Sequence, residues 1–401
     1  MRKVPELRFD GFEGEWKEKK LKETSKIVGG GTPSTKNEEY WDGEINWFTP
    51  SEIDSRRYFS SSGRKITEKA LSKSSAKLLD KNKTVLFTSR ATIGEVGLLK
   101  EDSTTNQGFQ SLVIKDDFDL NFMYSIAQTL KRKALSLSVG STFKEISKSS
   151  FEDIEVYTPI KNEQEKIGDL FKKIDDLIEI QEGKVSKMEA FKKSMLQKMF
   201  PKKDELVPDF RFDGFDGELN SFRINELIEY SNGNTLEPLI TENGDLEVLN
   251  LNSVSINGQL KGTSKYISSP YPTLEKNDII MILSDIAHGN LIGKTAVIPE
   301  SNKYVLNQRV AQLKPKNIDS YFLSYYINHN QKDLYALSAG TSQLNLSKTE
   351  ILKYYVRIPA LEEQEKIGQF FKNLDTQIEN EEKLLESYKM MKKSLLQKMF
   401  V

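Results

Sequence analysis

Cysteine is absent from the 401-residue chain, and its absence excludes several classes of site. Without a thiol there is no disulfide framework, no cysteine-ligated zinc and no cysteine nucleophile. Histidine is also scarce, since only His288 and His329 occur, and neither stands with clustered carboxylates at ligand spacing. We therefore expect no metal site. A reducing, cytoplasmic setting fits this composition.

Long apolar segments are missing as well. No stretch reaches the roughly 18 apolar residues of a membrane helix, and residues 1–10 lack the apolar core of a secretion signal. We expect neither membrane insertion nor secretion. The net charge of -1 balances 58 Lys and Arg against 59 Asp and Glu, so total charge does not mark a nucleic-acid binder. The positions of the basic residues decide that question.

Signatures of catalysis and cofactor binding are also lacking. The sequence has no GxGxxG fingerprint and no Asn-Pro-Pro-aromatic run of the kind that grips a flipped adenine. Residues 288–295 resemble a phosphate-binding P-loop, but the spacing between the glycines is one residue short. A tight turn between strands is the favoured interpretation. We expect no catalytic residue and no cofactor in this chain.

An internal repeat sets the architecture. Residues 4–16 match residues 207–219 at 9 of 13 positions, and residues 161–200 match residues 361–400 at 20 of 40 positions without a gap. The segments between these shared ends differ strongly, although Asn106-Gln107 recurs as Asn307-Gln308. The chain is therefore two copies of one unit, in which a scaffold was kept while a central part diverged.

Each shared C-terminal segment predicts a long helix with an apolar seam. Apolar residues follow alternating steps of three and four, as in a coiled coil, and prolines flank the segments. Four polar residues interrupt the seam, and they either fix its register or mark a solvated stretch. The apolar seam positions are Ile167, Phe171, Ile174, Ile178, Val185, Met188, Met195 and Met199, with Ile367, Phe371, Leu374, Ile378, Leu385, Tyr388, Leu395 and Met399. The polar ones are Gln181, Lys192, Glu381 and Lys392.

The diverged segments contain short β-rich runs, such as 84–88 and 278–283, which predict strands, and Gly and Ser residues separate these runs. This pattern indicates α+β domains. We predict a first such domain at 1–159, a central helix at 160–200, a second domain at 201–359 and a C-terminal helix at 360–401. The fold class is a tandem α+β repeat with two long antiparallel coiled-coil helices.

Basic residues concentrate in one part of the first domain. Residues 56–90 hold ten Lys or Arg against two acids, a local net charge of +8, whereas residues 256–316 hold eight against four. Such a run suits the phosphate backbone of a nucleic acid, although most single lysines are ordinary solvated residues. We predict phosphate contacts from Lys77, Lys81 and Lys83, and from Lys144 in a second basic cluster.

Side chains able to read base edges recur near the turns. Arg pairs with guanine, Asn or Gln with adenine, and Asp with cytosine. Each Asn-Gln pair could equally cap a loop, and both interpretations stay open. The predicted base-reading set is Ser89, Arg90, Asn106, Gln107, Ser284, Asp285, Asn307, Gln308, Arg309, Thr341 and Gln343.

Several recurring motifs accompany the tandem repeat: Gly-Gly-Thr-Pro-Ser at 30–34, Gly-Ser-Thr at 140–142 with Gly-Thr-Ser at 340–342, and Glu-Gln-x-x-Ile opening each helix. In these features the whole chain resembles the specificity subunit of type I restriction-modification enzymes. The resemblance adds Thr32, Thr142 and Thr235 to the DNA-binding candidates. The second copy departs from the family pattern at 232–237, where only Gly-Asn-Thr survives.

This resemblance implies two target-recognition domains that each read half of a split double-stranded DNA sequence. The helices would set the gap between half-sites and bind methyltransferase subunits, two in number, which bring S-adenosylmethionine. Separate restriction and translocase subunits would bring ATP and Mg²⁺, so that partners perform adenine methylation and cleavage. A stand-alone modification enzyme lacks support from motifs, and a coiled-coil adaptor would leave most of the chain without a role.

Overall fold

The chain forms two compact units in a computed structural model that describes residues 3–140, 144–203, 205–268, 270–285, 290–340 and 343–401. The first unit contains Met1–Lys184 and Glu382–Val401, and the second contains Val185–Glu381. Each unit therefore contains a part of both long helices, whereas the bounds predicted from the sequence kept each helix as one undivided segment. None of the helices in the described ranges is long and apolar enough to cross a membrane.

Within its described residues the first repeat contains ten β-strands and six α-helices, and the predicted strand at 84–88 is confirmed. In chain order they are β1 (Lys17–Lys20), α1 (Leu21–Thr24), β2 (Ser25–Gly29), β3 (Trp41–Phe48), β4 (Tyr58–Phe59), β5 (Lys65–Ile66), α2 (Glu68–Lys73), β6 (Thr84–Phe87), β7 (Val96–Leu99), β8 (Thr104–Thr105), β9 (Gln110–Ile114), α3 (Leu120–Thr129), α4 (Lys131–Leu137), α5 (Lys148–Glu152), β10 (Glu155–Thr158) and α6 (Lys161–Met199).

A five-stranded sheet in the order β2-β9-β6-β7-β4 forms the centre of the first unit, beside a three-stranded sheet β5-β3-β8 and the pair β1-β10. Helix α3 begins at an N-cap, where Asp119 accepts a hydrogen bond from Phe122 N. The buried face of α3 shares one apolar core with β6, with the start of α6 and with Met399 at the end of the chain.

The second repeat follows a similar order of elements, although its described residues include no counterpart of α2 and include additional short strands at 284–285 and 344–345. The predicted strand at 278–283 is confirmed. Its elements are β11 (Asn220–Arg223), α7 (Ile224–Leu227), β12 (Ile228–Asn232), β13 (Leu246–Leu249), β14 (Tyr266–Ile267), β15 (Ile279–Ile282), β16 (Ser284–Asp285), β17 (Thr295–Val297), β18 (Tyr304–Leu306), β19 (Val310–Pro315), α8 (Ser320–His329), α9 (Gln331–Ala336), β20 (Leu344–Asn345), α10 (Lys348–Lys353), β21 (Tyr355–Ile358) and α11 (Leu361–Met399).

Its main sheet has the order β12-β19-β15-β17, beside β14-β13-β18 and the pairs β11-β21 and β16-β20. Helix α8 covers this sheet as α3 covers the sheet of the first unit, and its N-cap Asp319 accepts from Phe322 N. Met199 and Phe200, at the end of α6, are buried in the core of this unit. The repeat seen in the sequence is therefore also a repeat of structure.

The recurring segments at 4–16 and 207–219 hold the first turn of each long helix in place. Arg8 donates two hydrogen bonds of 2.8 Å to the carboxylate of Glu163, which is fully buried. Arg211 donates to Glu363 in the same way in the second unit. A bidentate Arg–carboxylate pair is geometrically specific, so it fixes where the helix begins.

The glutamine of each Glu-Gln motif also has a structural role. Gln164 accepts a hydrogen bond from Asp119 N at 3.1 Å and donates to the carbonyl of Pro159 at 2.9 Å. Gln364 makes the equivalent bonds, at the same distances, in the second unit. The side-chain amide therefore joins the long helix to the N-cap turn of α3 or α8.

The long helices are antiparallel where they meet within the first unit, as predicted. Along α6, Asp175 and Glu182 pair with Lys392 and Lys389 of α11, so the partner number falls as the helix number rises. Three of the four polar residues that interrupt the seam are largely covered: Gln181 is 6% exposed, and the side chains of Lys192 and Lys392 are 14% and 15% exposed. This burial favours the register-fixing interpretation.

Candidate nucleic-acid interface

Three segments of the first unit meet where β6 ends. Ser89 N donates to the carbonyl of Gly108 at 2.8 Å, and Ser89 O accepts from Ile146 N at 3.0 Å. Arg90 also forms a β-bridge with Glu145. The turn after β6, the Asn106-Gln107 turn and the segment that ends at Ile146 therefore form one junction of loops, which we call the first junction.

The second unit contains the same junction at the end of β15. Leu283 N donates to the carbonyl of Arg309 at 2.9 Å, and Leu283 O accepts from Leu346 N at 2.8 Å. Ser284 pairs with Asn345 as Arg90 pairs with Glu145. The backbone is thus conserved between the units while the side chains differ. We call this group of loops the second junction.

In the first junction, Arg90 is held by an ion pair. Its Nη2 lies 2.7 Å from Glu145 Oε1, and the two side chains are 39% and 42% exposed. The Nε atom of Arg90 is buried without a hydrogen-bond partner in the part of the chain that the structure describes. The guanidinium is therefore partly exposed, pairs with Glu145 through Nη2, and can donate further hydrogen bonds. The sequence predicted Arg90 as a site residue but not Glu145, because 55 residues separate the two and no local pattern connects them.

In the second junction, the position equivalent to Arg90 holds Ser284. This side chain is 1% exposed and donates to Asn345 Oδ1 at 2.9 Å, while Gln343 Nε2 donates to Ser284 Oγ at 2.5 Å. Asp285 accepts a hydrogen bond from Leu291 N at 2.9 Å. Gln343 is partly exposed, whereas Ser284 lies below the surface.

The buried serines depart from the base-reading prediction. Ser89 is 0% exposed and its hydroxyl has no hydrogen-bond partner among the described residues, and Ser284 is 1% exposed. A hydroxyl beneath the surface cannot reach a base edge without opening of the loop, so the structure argues against direct reading by either serine. Thr142 and Thr341 lie outside the described residues.

A threonine and a glutamine face each other at both junctions. Thr32 Oγ1 donates to Gln107 Oε1 at 2.5 Å, and Thr235 Oγ1 lies 3.5 Å from Gln308 Oε1. All four side chains are exposed. The predicted pairs of candidates are therefore brought together at the surface, and the departure at 232–237 leaves Thr235 in the equivalent place.

The two recurring asparagines hold their loops. Asn106 Oδ1 accepts from Gly108 N at 2.7 Å. Asn307 Oδ1 accepts from Leu236 N at 3.1 Å, and its amide donates to Glu237 Oε1 at 2.9 Å. This last bond lowers the pKa of Glu237. The structure therefore gives the asparagines the capping role of the two alternatives, while a base contact from either stays a prediction.

The basic run divides into internal and external residues. Arg57 is 5% exposed and lies 2.5 Å from Asp175, so it belongs to the packing of the first unit. Lys83 is exposed but paired with Asp116 at 2.7 Å, which raises the pKa of Lys83. Lys77, Lys81 and also Lys144 are exposed. The +8 count therefore overstates the positive charge available at the surface.

The segment that resembles a P-loop is a turn. Gly293 has φ of 74°, and its N–H donates to the carbonyl of Ile282 at 2.8 Å. Lys294 points into the unit, where its ammonium lies 3.3 Å from the carbonyl of Asn328 and burial lowers its pKa. The turn interpretation accounts for the described part of this segment, while His288 lies outside it.

Comparisons with known proteins agree on one family. This family is the type I restriction modification DNA specificity domain, and its sequence model matches residues 13–190 and 217–389. The type I restriction enzyme MjaIX specificity subunit of Methanocaldococcus jannaschii is 27% identical, over 96% of this chain and 92% of the relative. The MjaVIII specificity subunit of the same organism is 23% identical, over 95% and 91%.

The fold is likewise similar to a solved structure of that class. The crystal structure of the type I restriction-modification S subunit from M. genitalium has a TM-score of 0.68 and 17% identity, and the match covers 99% of both chains. Because the family match spans both copies of the repeat, this chain belongs to the type I restriction-modification specificity subunits, the family that determines which DNA sequence such a system recognises.

Proposed function

We propose that each junction contacts one half-site of a bipartite double-stranded DNA target. The single observation that supports this assignment is the shared backbone with different side chains: Leu283 bonds Arg309 and Leu346 as Ser89 bonds Gly108 and Ile146. A constant frame with variable side chains suits two domains that perform one task on different sequences.

The exposed side chains of the junctions have the chemistry for reading bases. Arg90 and Gln107 at the first junction, and Gln308, Arg309 and Gln343 at the second, supply guanidinium and amide groups, which suit guanine and adenine. Lys77, Lys81 and Lys144 contribute charge for phosphate, which positions the protein but carries no sequence information.

Chemistry on the DNA belongs to partner subunits in this proposal. Two methyltransferase subunits bring S-adenosylmethionine and modify adenine, and restriction subunits bring ATP and Mg²⁺ for translocation and cleavage. The long helices supply the surface for the methyltransferase subunits. A stand-alone modification enzyme finds no support from the family match, which is to a DNA specificity domain over both repeats.

The test is to express the chain with its methyltransferase subunit and to map methylated adenines across a genome. The proposal predicts one interrupted sequence with two constant halves. Replacing the junction residues Arg90 and Gln107 with alanine should relax only one half. Lys22→Ala, at an exposed residue of the same unit that pairs with Asp153 outside the junctions, is the matched control and should leave the sequence unchanged. Methylation without a bipartite consensus would contradict the proposal.

A further inference from the structure

Strained backbone marks both junctions. Seven non-glycine residues in the described ranges have φ between 50° and 70°. Five of them are Asp, Asn or Ser, polar residues with short side chains, but the other two are Ala91 and Arg309, for which this conformation is unfavourable. The seven are Asp42, Ala91, Ser264, Asn277, Asn302, Arg309 and Asn317.

One of the two unusual residues lies in each junction, although on different loops of it. Ala91 directly follows Arg90 in the first junction, and Arg309 belongs to the second junction, where its carbonyl accepts from Leu283 N at 2.9 Å. Strain of this kind persists only where the surroundings impose it, and it concentrates at functional sites. Both junctions are thus held in conformations that their sequences do not favour locally.

Each junction carries a single arginine, but at a different position. The residue equivalent to Arg90 is Ser284, and the residue equivalent to Arg309 is Gly108. A side chain at Gly108 would not fit, since a Cβ atom there would lie 2.5 Å from Pro50. The first unit therefore closes the position from which the second unit presents its arginine.

The side chain of Arg309 is exposed and uncommitted. Its φ is 67°, a value that glycine adopts freely. Within the ranges that the structure describes, its guanidinium makes neither a hydrogen bond nor an ion pair, in contrast to Arg90 with Glu145. All donors of its planar fork therefore remain available to a ligand.

We propose that Arg309 is the residue that determines a guanine in the second half-site, where its fork donates to the O6 and N7 atoms in the major groove. The assignment rests on the proposed function of the second junction. A lysine at this position would bear the same backbone strain and the same exposure, and only the arginine fork matches both guanine acceptors at once. A phosphate contact is the alternative outcome that the test distinguishes.

The experiment uses the full chain with its methyltransferase subunit, and duplexes that carry the mapped target or each single base-pair change in it. Arg309→Gly removes the side chain and relieves the strain, so the variant should unfold at the same or a higher temperature than the wild type. It should bind the mapped target roughly 5- to 150-fold more weakly and lose discrimination at one position of the second half-site.

Two further variants sharpen the result. Arg309→Lys keeps the charge without the fork, so it should also lose discrimination. Asn302→Gly, at another exposed residue with positive φ, is the matched control and should leave binding unchanged. Equal weakening on every duplex, with Arg309→Lys near the wild type, would make Arg309 a phosphate contact and overturn the assignment, as would unchanged binding of Arg309→Gly.

Failure of the underlying function would appear in a different measurement. A wild-type complex without sequence preference overturns the proposed function and the arginine assignment together. A wild-type complex with a bipartite preference, whose second half-site is read identically by Arg309→Gly, overturns the assignment alone.

Discussion

Lys392 Nζ lies 2.7 Å from Asp175 Oδ1, and the same relationship recurs in the second unit, where Lys192 pairs with Asp375. The lysines interrupt an apolar seam, and each meets the aspartate that stands at the repeat-equivalent position of the other long helix. The charges are largely covered, with side-chain exposures of 15% and 7% for Lys392 and Asp175. Such pairs select one register of the helices, because a slip would leave buried charges without partners.

Removing Asp175 should therefore destabilise the protein more than removing Lys392. Asp175 also lies 2.5 Å from buried Arg57, so Asp175→Ala leaves two cations uncompensated, whereas Lys392→Ala leaves Asp175 with Arg57. We expect a loss of about 3–5 kcal/mol in the free energy of unfolding for Asp175→Ala. Lys389→Ala breaks the exposed pair with Glu182 and should cost about 0–1 kcal/mol. Urea unfolding of the three variants checks this order, which equal losses would contradict.

Stability should fall through His329 as the pH drops below about 6.5. Burial, together with the nearby charge of Lys294, lowers the pKa of this histidine in the folded protein. The unfolded chain then binds a proton first as the pH drops below about 6.5, which favours unfolding until the pH reaches the folded pKa. His329→Gln should flatten this part of the curve of unfolding free energy against pH. An unaltered slope would show that His329 is not the responsible group.

Salt dependence should separate the lysines of the basic run. Lys77 and Lys81 are exposed, whereas Lys83 is already paired with Asp116. If the first two contact phosphate, each alanine variant should lower the slope of log affinity against log salt by roughly 0.9. Lys83→Ala should change the slope less, because Asp116 offsets its charge. Titrations of DNA into the assembled complex at several salt concentrations measure this slope. If every variant kept the slope of the wild type, these lysines would not contact phosphate.

A fragment of residues 1–200 should form a homodimer. The first unit of the full chain is completed by residues 382–401, whose Met399 enters its core. A second copy of the fragment can supply Met199 and Lys192 for the same contacts, since residues 161–200 and 361–400 are identical at 20 of 40 positions. Lys192→Glu would oppose Asp175 and should prevent the dimer.

The neighbouring exposed residue gives the control for that variant. Lys193→Glu makes the same charge change outside the seam, so the fragment should still dimerise. Light scattering measures the mass of each fragment. A monomeric wild-type fragment, or a dimer that tolerates Lys192→Glu, would show that residues 182–200 do not replace residues 382–401.

The sequence predicted whatever depends on periodicity and repetition. The seam positions Ile167, Phe171 and Ile174 are buried as expected, because spacing along a helix determines which side chains share a face. The tandem architecture followed from the two recurring segments. Buried charge pairs such as Arg8 with Glu163 were not predicted, since 155 residues separate the partners and no local rule connects them.

The candidate interface was only partly accessible from the sequence. Arg90, Gln107 and Gln308 were proposed from residue type, and the structure places them at exposed junctions. The burial of Ser89 and Arg57 was missed, because a polar or basic residue in a run gives no indication of which way it faces. The positive φ of Arg309 is imposed by surrounding loops, so it too required the structure.

The most direct test of the account is a map of methylated adenines produced by the full chain with its methyltransferase subunit, repeated for Arg90→Gln and Arg309→Gly. Since the two arginines belong to different units, we predict an interrupted target in which Arg90→Gln relaxes one half and Arg309→Gly relaxes the other. A single uninterrupted target, or two variants that alter the same half, would contradict the claim that each unit reads its own half-site.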